Sequence, residues 1–114
     1  MEIQFREREN NIRLIKLIGK LDITGVEQIE SQFTSYCAGD TVRLIVDLSE
    51  VDFLASIGIR LLTLTAKSGM TRGGKMVLLN PAPDVRHILE VTGIPAIVPI
   101  YSHLESAETI LMSS

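Results

Sequence analysis

The sequence predicts an α/β domain spanning residues 1–114, with a mixed, mostly parallel five-stranded sheet and about four helices in the order β-β-α-β-α-β-α-β-α. Three observations carry that prediction. Short apolar runs such as Val42–Leu48 and Met76–Leu79 have the length and branching of strands buried on both faces. Between such runs, apolar residues recur at helical spacing, as in Val26, Ile29 and Phe33. Glycines and prolines punctuate the junctions, at Gly39, Gly69, Gly73-Gly74, Pro81, Pro83 and Gly93.

In chain order, Glu2–Glu7 alternates, with Ile3 and Phe5 on one side, and reads as a half-buried strand. Glu9-Asn10-Asn11 forms a tight turn, since Asn tolerates positive φ. Ile12–Ile18 is the second strand of an antiparallel hairpin, and Gly19-Lys20-Leu21-Asp22 leaves it. Thr24 with Glu27 three residues on is a capping-box pattern, so a helix is expected from about Gly25. Its stripe is Val26, Ile29, Phe33, Tyr36 and Cys37, and Gly39 ends it.

Val42–Leu48 follows as a buried strand, then a connector of seven residues from Ser49 to Ala55. Val51, Phe53 and Leu54 are more apolar than a solvated loop requires, so the connector should pack down and present Ser56 at the mouth of the next helix. That helix runs to about Ser68, with Ile57, Leu61 and Leu64 on one stripe and a stop at Gly69. Lys75–Asn80 is a short strand. Pro83 suits the first turn of the next helix, whose inner residues are Val85, Ile88, Leu89 and Thr92. Ala96–Ile100 reads as a last strand, placed at the sheet edge by Pro99, which has no N–H. Ser102 with Glu105 is a second capping box, opening a helix with Leu104, Ala107 and Leu111 inward.

Composition narrows the function. With 46% hydrophobic residues, no Trp, three Phe and two Tyr, the core is aliphatic. A net charge of −3 with mixed signs lacks the basic footprint of a nucleic-acid binder. The lone Cys37 cannot form an internal disulfide and sits by an apolar stripe, which fits a reducing, cytoplasmic setting and a packing role. The charged start (Glu2, Arg6, Glu7, Arg8, Glu9) is unlike a signal peptide, and no apolar run approaches the ~20 residues of a membrane span.

Catalytic patterns fail one by one. Gly69–Lys75 resembles a P-loop, but Met76 stands where Ser or Thr must hold magnesium, and the segment runs from helix to strand, the reverse of what phosphate binding needs. His87 and His103 lie on separate helices without metal-ligand spacing. Ser56 lacks the Gly two residues before it that a hydrolase elbow requires, since that residue is Leu54. No cofactor, metal site or catalytic constellation is expected. On its own, Ser56 reads as a helix N-cap, and Gly58 as either a close helix–sheet approach or clearance for a partner's backbone.

Three segments resemble the STAS family, and in particular the bacterial anti-sigma factor antagonists. They are Gly19–Asp22; Asp47–Leu62, which carries Ser56 two residues before Gly58; and Asn80–Val85 leading to Thr92-Gly93-Ile94. The resemblance covers nearly the whole chain in the family's order. It implies a STAS-type fold, with Ser56 as phosphoacceptor and Asp22 on a neighbouring loop of the same partner-facing surface. Asp22, Leu54, Ala55, Ser56, Ile57 and Gly58 are the expected partner-binding residues, on a surface made acidic by Asp22, Asp47, Glu50 and Asp52. One departure stands out: the best-studied antagonists carry Asp immediately before the phosphoacceptor, where this chain has Ala55.

The function implied is non-enzymatic partner switching. The unmodified domain binds an anti-sigma factor that is also a serine kinase, freeing the sigma factor. Phosphorylation of Ser56 then releases the domain, and a serine phosphatase resets it. The alternative is a STAS scaffold or sensor component that binds a partner without phosphorylation. Nucleic acid and membrane are not expected partners, and oligomerisation beyond a monomer or weak dimer is not expected.

Overall fold

The computed structural model describes residues 1–113. The sheet is built from β1 (Glu2–Arg8), β2 (Ile12–Leu21), β3 (Arg43–Leu54), β4 (Lys75–Leu79) and β5 (Ile100–Tyr101). The helices are α1 (Ile23–Cys37), α2 (Ser56–Thr71), α3 (Pro83–Val91) and α4 (Leu104–Met112). The strands lie side by side in sequence order. β1 and β2 are antiparallel, while β2–β3, β3–β4 and β4–β5 are parallel. The β1–β2 turn has positive φ at both Asn10 (64°) and Asn11 (61°), the conformation that matches hairpin twist and that Asn accepts at low cost.

Strand alternation divides the core in two. Leu44, Val46 and Leu48 of β3 face α1, α2 and α3, packing with Phe33, Leu62 and Leu89. Ile45 points the other way, into a smaller cluster with Ile12, Val77, Ala107 and Leu111 under α4. Each fully buried aliphatic side chain contributes about 1.5–3 kcal/mol of transfer free energy, so the larger face supplies most of the stability. Cys37 is buried at the end of α1, and burial pushes its thiol up to about 12, against a lesser opposing pull from Arg13. The Arg13 guanidinium donates to the carbonyls of Tyr36 and Ala38, each at 2.8 Å, which ties β2 to the helix terminus.

Several boundaries differ from the sequence reading. There is no seven-residue connector: β3 continues through Leu54, and β2 extends beside it to Leu21. α2 runs through Gly69 to Thr71, and its buried residues are Gly58, Leu61, Leu62 and Ala66, with Ile57 only partly covered and Leu64 exposed. Thr92 is exposed, just beyond the end of α3. In place of a strand from Ala96, Ile94–Ala96 forms a 3₁₀ turn after Gly93 (φ 78°), and β5 keeps two residues. The residue that opens α4 is His103, with no side-chain cap from Ser102.

Candidate functional site

The site lies where β2 and β3 end side by side and the chain enters α1 and α2. Leu21 pairs with Leu54, and the Ala55 N–H donates to the Leu21 carbonyl at 3.0 Å. This bond brings Asp22, the residue opening α1, alongside Ala55, the residue opening α2. Two residues from distant parts of the sequence thus meet at the carboxyl edge of the sheet.

Both helices press their first turns onto the same piece of backbone. A Cβ on Gly25 would sit 1.9 Å from the Lys20 carbonyl oxygen. One on Gly58 would sit 2.7 Å from Leu21 Cγ and 2.8 Å from the Leu21 carbonyl oxygen. Contacts below 3.0 Å are not tolerated by a real side chain, so glycine is a steric requirement at both positions. For Gly58 this is the close helix–sheet approach; it is buried and has no side chain to offer a partner.

The two helix ends differ in their caps. At α1, the Asp22 carboxylate accepts from the Gly25 N–H at 2.8 Å, so the cap is Asp22 and the helix starts at Ile23, two residues before the position suggested by Thr24 and Glu27. At α2 the cap position is Ala55, and no side chain bonds the first turn. Ser56 is therefore not the N-cap but the first helical residue, exposed at that terminus. Gly58 and Ile59 donate to the Ala55 carbonyl at 3.0 and 3.1 Å. The N–H groups of Ser56 and Ile57 have no intrahelical acceptor, leaving the positive end of the helix dipole uncompensated beside the hydroxyl. Arg60 is exposed one turn along, on the side of Ser56.

β3 carries one more residue than β2 at its end: Gly19 pairs with Val51 and Lys20 with Phe53, leaving Asp52 over. This bulge resets the alternation. Val51 and Leu54 both turn inward, Leu54 to 4% exposure, while Phe53 turns outward at 47%. Lys20 Nζ lies 5.9 Å from the Phe53 ring centroid. Ile23, the first residue of α1, is 62% exposed. Two large apolar side chains, Ile23 and Phe53, thus stand in solvent next to Asp22 and Ala55. They were not anticipated as surface residues; Phe53 was expected to pack down, and no local pattern marks Ile23 as exposed. Leu54, expected among the contact residues, belongs to the core and supports the surface from beneath.

The expected acidic surface is only partly assembled. Asp47 shares a strand face with Ile45, and its carboxylate accepts from the Ser49 N–H at 2.9 Å. Glu50 pairs with Lys16, which raises the Lys16 pKa through that hydrogen bond, partly offset by desolvation. Both acids are committed along the strands, away from Ser56. His87 and His103 are exposed, and among the described residues no group of three or more His, Cys, Asp or Glu could hold a metal ion. No helix among the described residues is long and apolar enough to cross a membrane.

A groove of about 670 Å³ runs between α1 and α2 from Ile57 towards Arg72, with Glu27 and Glu30 on one wall and Arg60 on the other. The STAS domain family profile matches residues 2–107. The chain belongs to the STAS domain family. BtrV of Bordetella bronchiseptica is 30% identical over 91 residues, covering 80% of this chain and 78% of BtrV. The anti-sigma F factor antagonist of Lysinibacillus sphaericus is also 30% identical, over 71% of this chain and 70% of its own. An anti-sigma-factor antagonist (STAS) domain protein from Planctomyces limnophilus has a solved structure that superposes with a TM-score of 0.82, at 27% identity over 96% of each chain. The sequential sheet with α4 alone on one face is thus a STAS architecture.

Proposed function

We propose that this STAS domain is an anti-sigma factor antagonist that binds an anti-sigma factor with serine-kinase activity, and that phosphorylation of Ser56 releases it. The single observation carrying this reading is the exposed Ser56 at an uncapped helix N-terminus, at the position where the family resemblance puts a phosphoacceptor. The relatives' names supply the class of partner.

A phosphate on Ser56 adds about −1.5 to −2 charges. The α2 dipole and unpaired first-turn N–H groups favour that charge, as does Arg60 one turn on, so the fold itself tolerates it. The penalty falls on the complex. A partner packing on Ile23, Phe53, Ala55 and Ile57 would have to desolvate a dianion with the Asp22 carboxylate close by. A penalty of several kcal/mol follows, and each 1.4 kcal/mol is tenfold in affinity. A serine phosphatase acting on the modified form would complete the cycle.

The test is incubation with the cognate anti-sigma kinase and ATP, with site mapping and binding measured on the same samples. Wild type should bind, take phosphate on Ser56 and then dissociate; Ser56→Ala should bind and take none. Ser56→Asp should bind at least about tenfold more weakly with no loss of thermal stability. If wild type binds but Ser56 stays unmodified, the domain is a non-switching scaffold, the reading that Ala55 at the cap favours.

A further inference from the structure

At the opposite end of the sheet from Ser56, the β4 edge is left open. β5 pairs with β4 only through Leu78–Ile100 and Leu79–Tyr101. The cause is one residue. Leu78 and Asn80 donate to the carbonyls of Pro99 and Tyr101, so alternate residues of β4 face β5. Continuing that register backwards, the Met76 carbonyl would need an N–H from residue 99, which as proline has none. The Met76 N–H should meet the Ile97 carbonyl, but the 3₁₀ turn carries the chain away, and among the described residues it has no backbone partner. Met76 is only 4% exposed. An unpaired backbone N–H on a largely covered residue is completed by ordered water or by a ligand.

Met76 lines a cleft of about 590 Å³ at this open edge, in the size range of small-molecule sites. Its apolar wall includes Met70, Met76, Ile97 and Ile110, of which Met70 and Ile97 stand exposed without a covering element. Its charged residues are Arg43 and Lys75, and no carboxylate lines it among the described residues, although the chain as a whole carries −3. The Arg43 guanidinium is held by a 2.9 Å bond to the Asn10 carbonyl, whereas Lys75 forms no ion pair among the described residues. The carbonyls of Gly69 and Met70 at the end of α2 accept from Arg72, Gly73 and Gly74, so they do not confront an anion bare.

We propose that this cleft binds a free medium-chain carboxylate, its tail against the Met and Ile side chains and its head group between Lys75, Arg43 and the Met76 N–H. The open edge is a single peptide unit, too short to template an added strand, but one donor and two cations suit a carboxylate. The methionines adapt to a flexible chain. This site is independent of the reading of Ser56.

The experiment is an NMR titration of the full chain, with labelled Met and Ile methyls and backbone amides, using decanoate and decanol below their aggregation limits. Decanoate should shift the Met70, Met76, Ile97 and Ile110 methyls and the Met76 amide saturably, leaving Ser56 and Ile57 unmoved. Decanol should bind more weakly and leave the Met76 amide in place. Lys75→Glu, at an exposed position, should weaken decanoate about fivefold and leave decanol unchanged. Absence of saturable shifts, shifts spread over the surface, or equal affinity for decanol and decanoate would overturn the proposal.

Discussion

The first turns of α1 and α2 are two versions of one construction. Each helix starts where a parallel strand ends, each has a glycine at its third residue, and each glycine presses on the Lys20–Leu21 backbone. Even the cap residues share an extended conformation, with φ −108° at Asp22 and −96° at Ala55. What differs is charge. α1 carries its own anion in the Asp22 carboxylate, and α2 carries none. One terminus is closed by its own side chain; the other is open beside the Ser56 hydroxyl.

The comparison breaks most forcefully at the glycines. Gly25→Ala puts a carbon 1.9 Å from a backbone carbonyl oxygen, which no rotamer change relieves. It should cost about 3 kcal/mol or more, since overpacking against backbone is at the severe end of its range. Gly58→Ala meets the buried Leu21 side chain and its carbonyl oxygen at 2.7 to 2.9 Å, less severe overlaps than the 1.9 Å at Gly25. About 1–3 kcal/mol is expected there, partly offset by the better helix propensity of alanine. Urea unfolding of both variants measures the difference, and equal losses would show that the two docking contacts are not graded as the distances indicate.

Removing the built-in anion is the next test. Asp22→Ala deprives the Gly25 N–H of its 2.8 Å partner and α1 of charge compensation. The loss should be about 1–2 kcal/mol, within the range for N-cap replacement. Asp22→Asn should recover most of the hydrogen-bond part. If Asp22→Ala unfolds at the wild-type urea midpoint, the capped end owes nothing to its cap.

The order of elements was legible in the sequence; of the candidate site, Asp22, Ala55 and Ser56 were, whereas the exposure of Ile23 and Phe53 and the burial of Leu54 were not. Periodicity located the helices because their buried faces are long and regular, as at Val26, Ile29 and Phe33. It failed at the end of β3 because a strand read by alternation puts Val51 and Phe53 on one side. The extra residue Asp52 separates them, and pairing with β2 rather than local composition keeps the segment extended. The α1 cap was misassigned to Thr24 because Thr-x-x-Glu is a common capping pattern, while Asp22 sat two residues earlier at what read as a loop. The shortening of β5 depends on which carbonyl Pro99 should have served, a fact of register invisible in one strand alone.

The smallest expected effect sharpens the comparison from the other side. Ala55→Asp would give α2 what α1 already has, at a half-buried position with cap dihedrals close to those of Asp22. By analogy with Asp22 and Gly25, the new carboxylate should accept from the Gly58 N–H and face the open dipole end. The unmodified domain should gain about 0.5–1 kcal/mol in urea unfolding. The same carboxylate would then compete with a phosphate on Ser56 for the first-turn N–H groups and repel it. Phosphorylation should therefore stabilise wild type more than it stabilises the variant, a difference in melting temperature readable on the four purified forms. A variant no more stable than wild type would mean that the α2 terminus, although uncapped, has no stability left to gain from a negative charge.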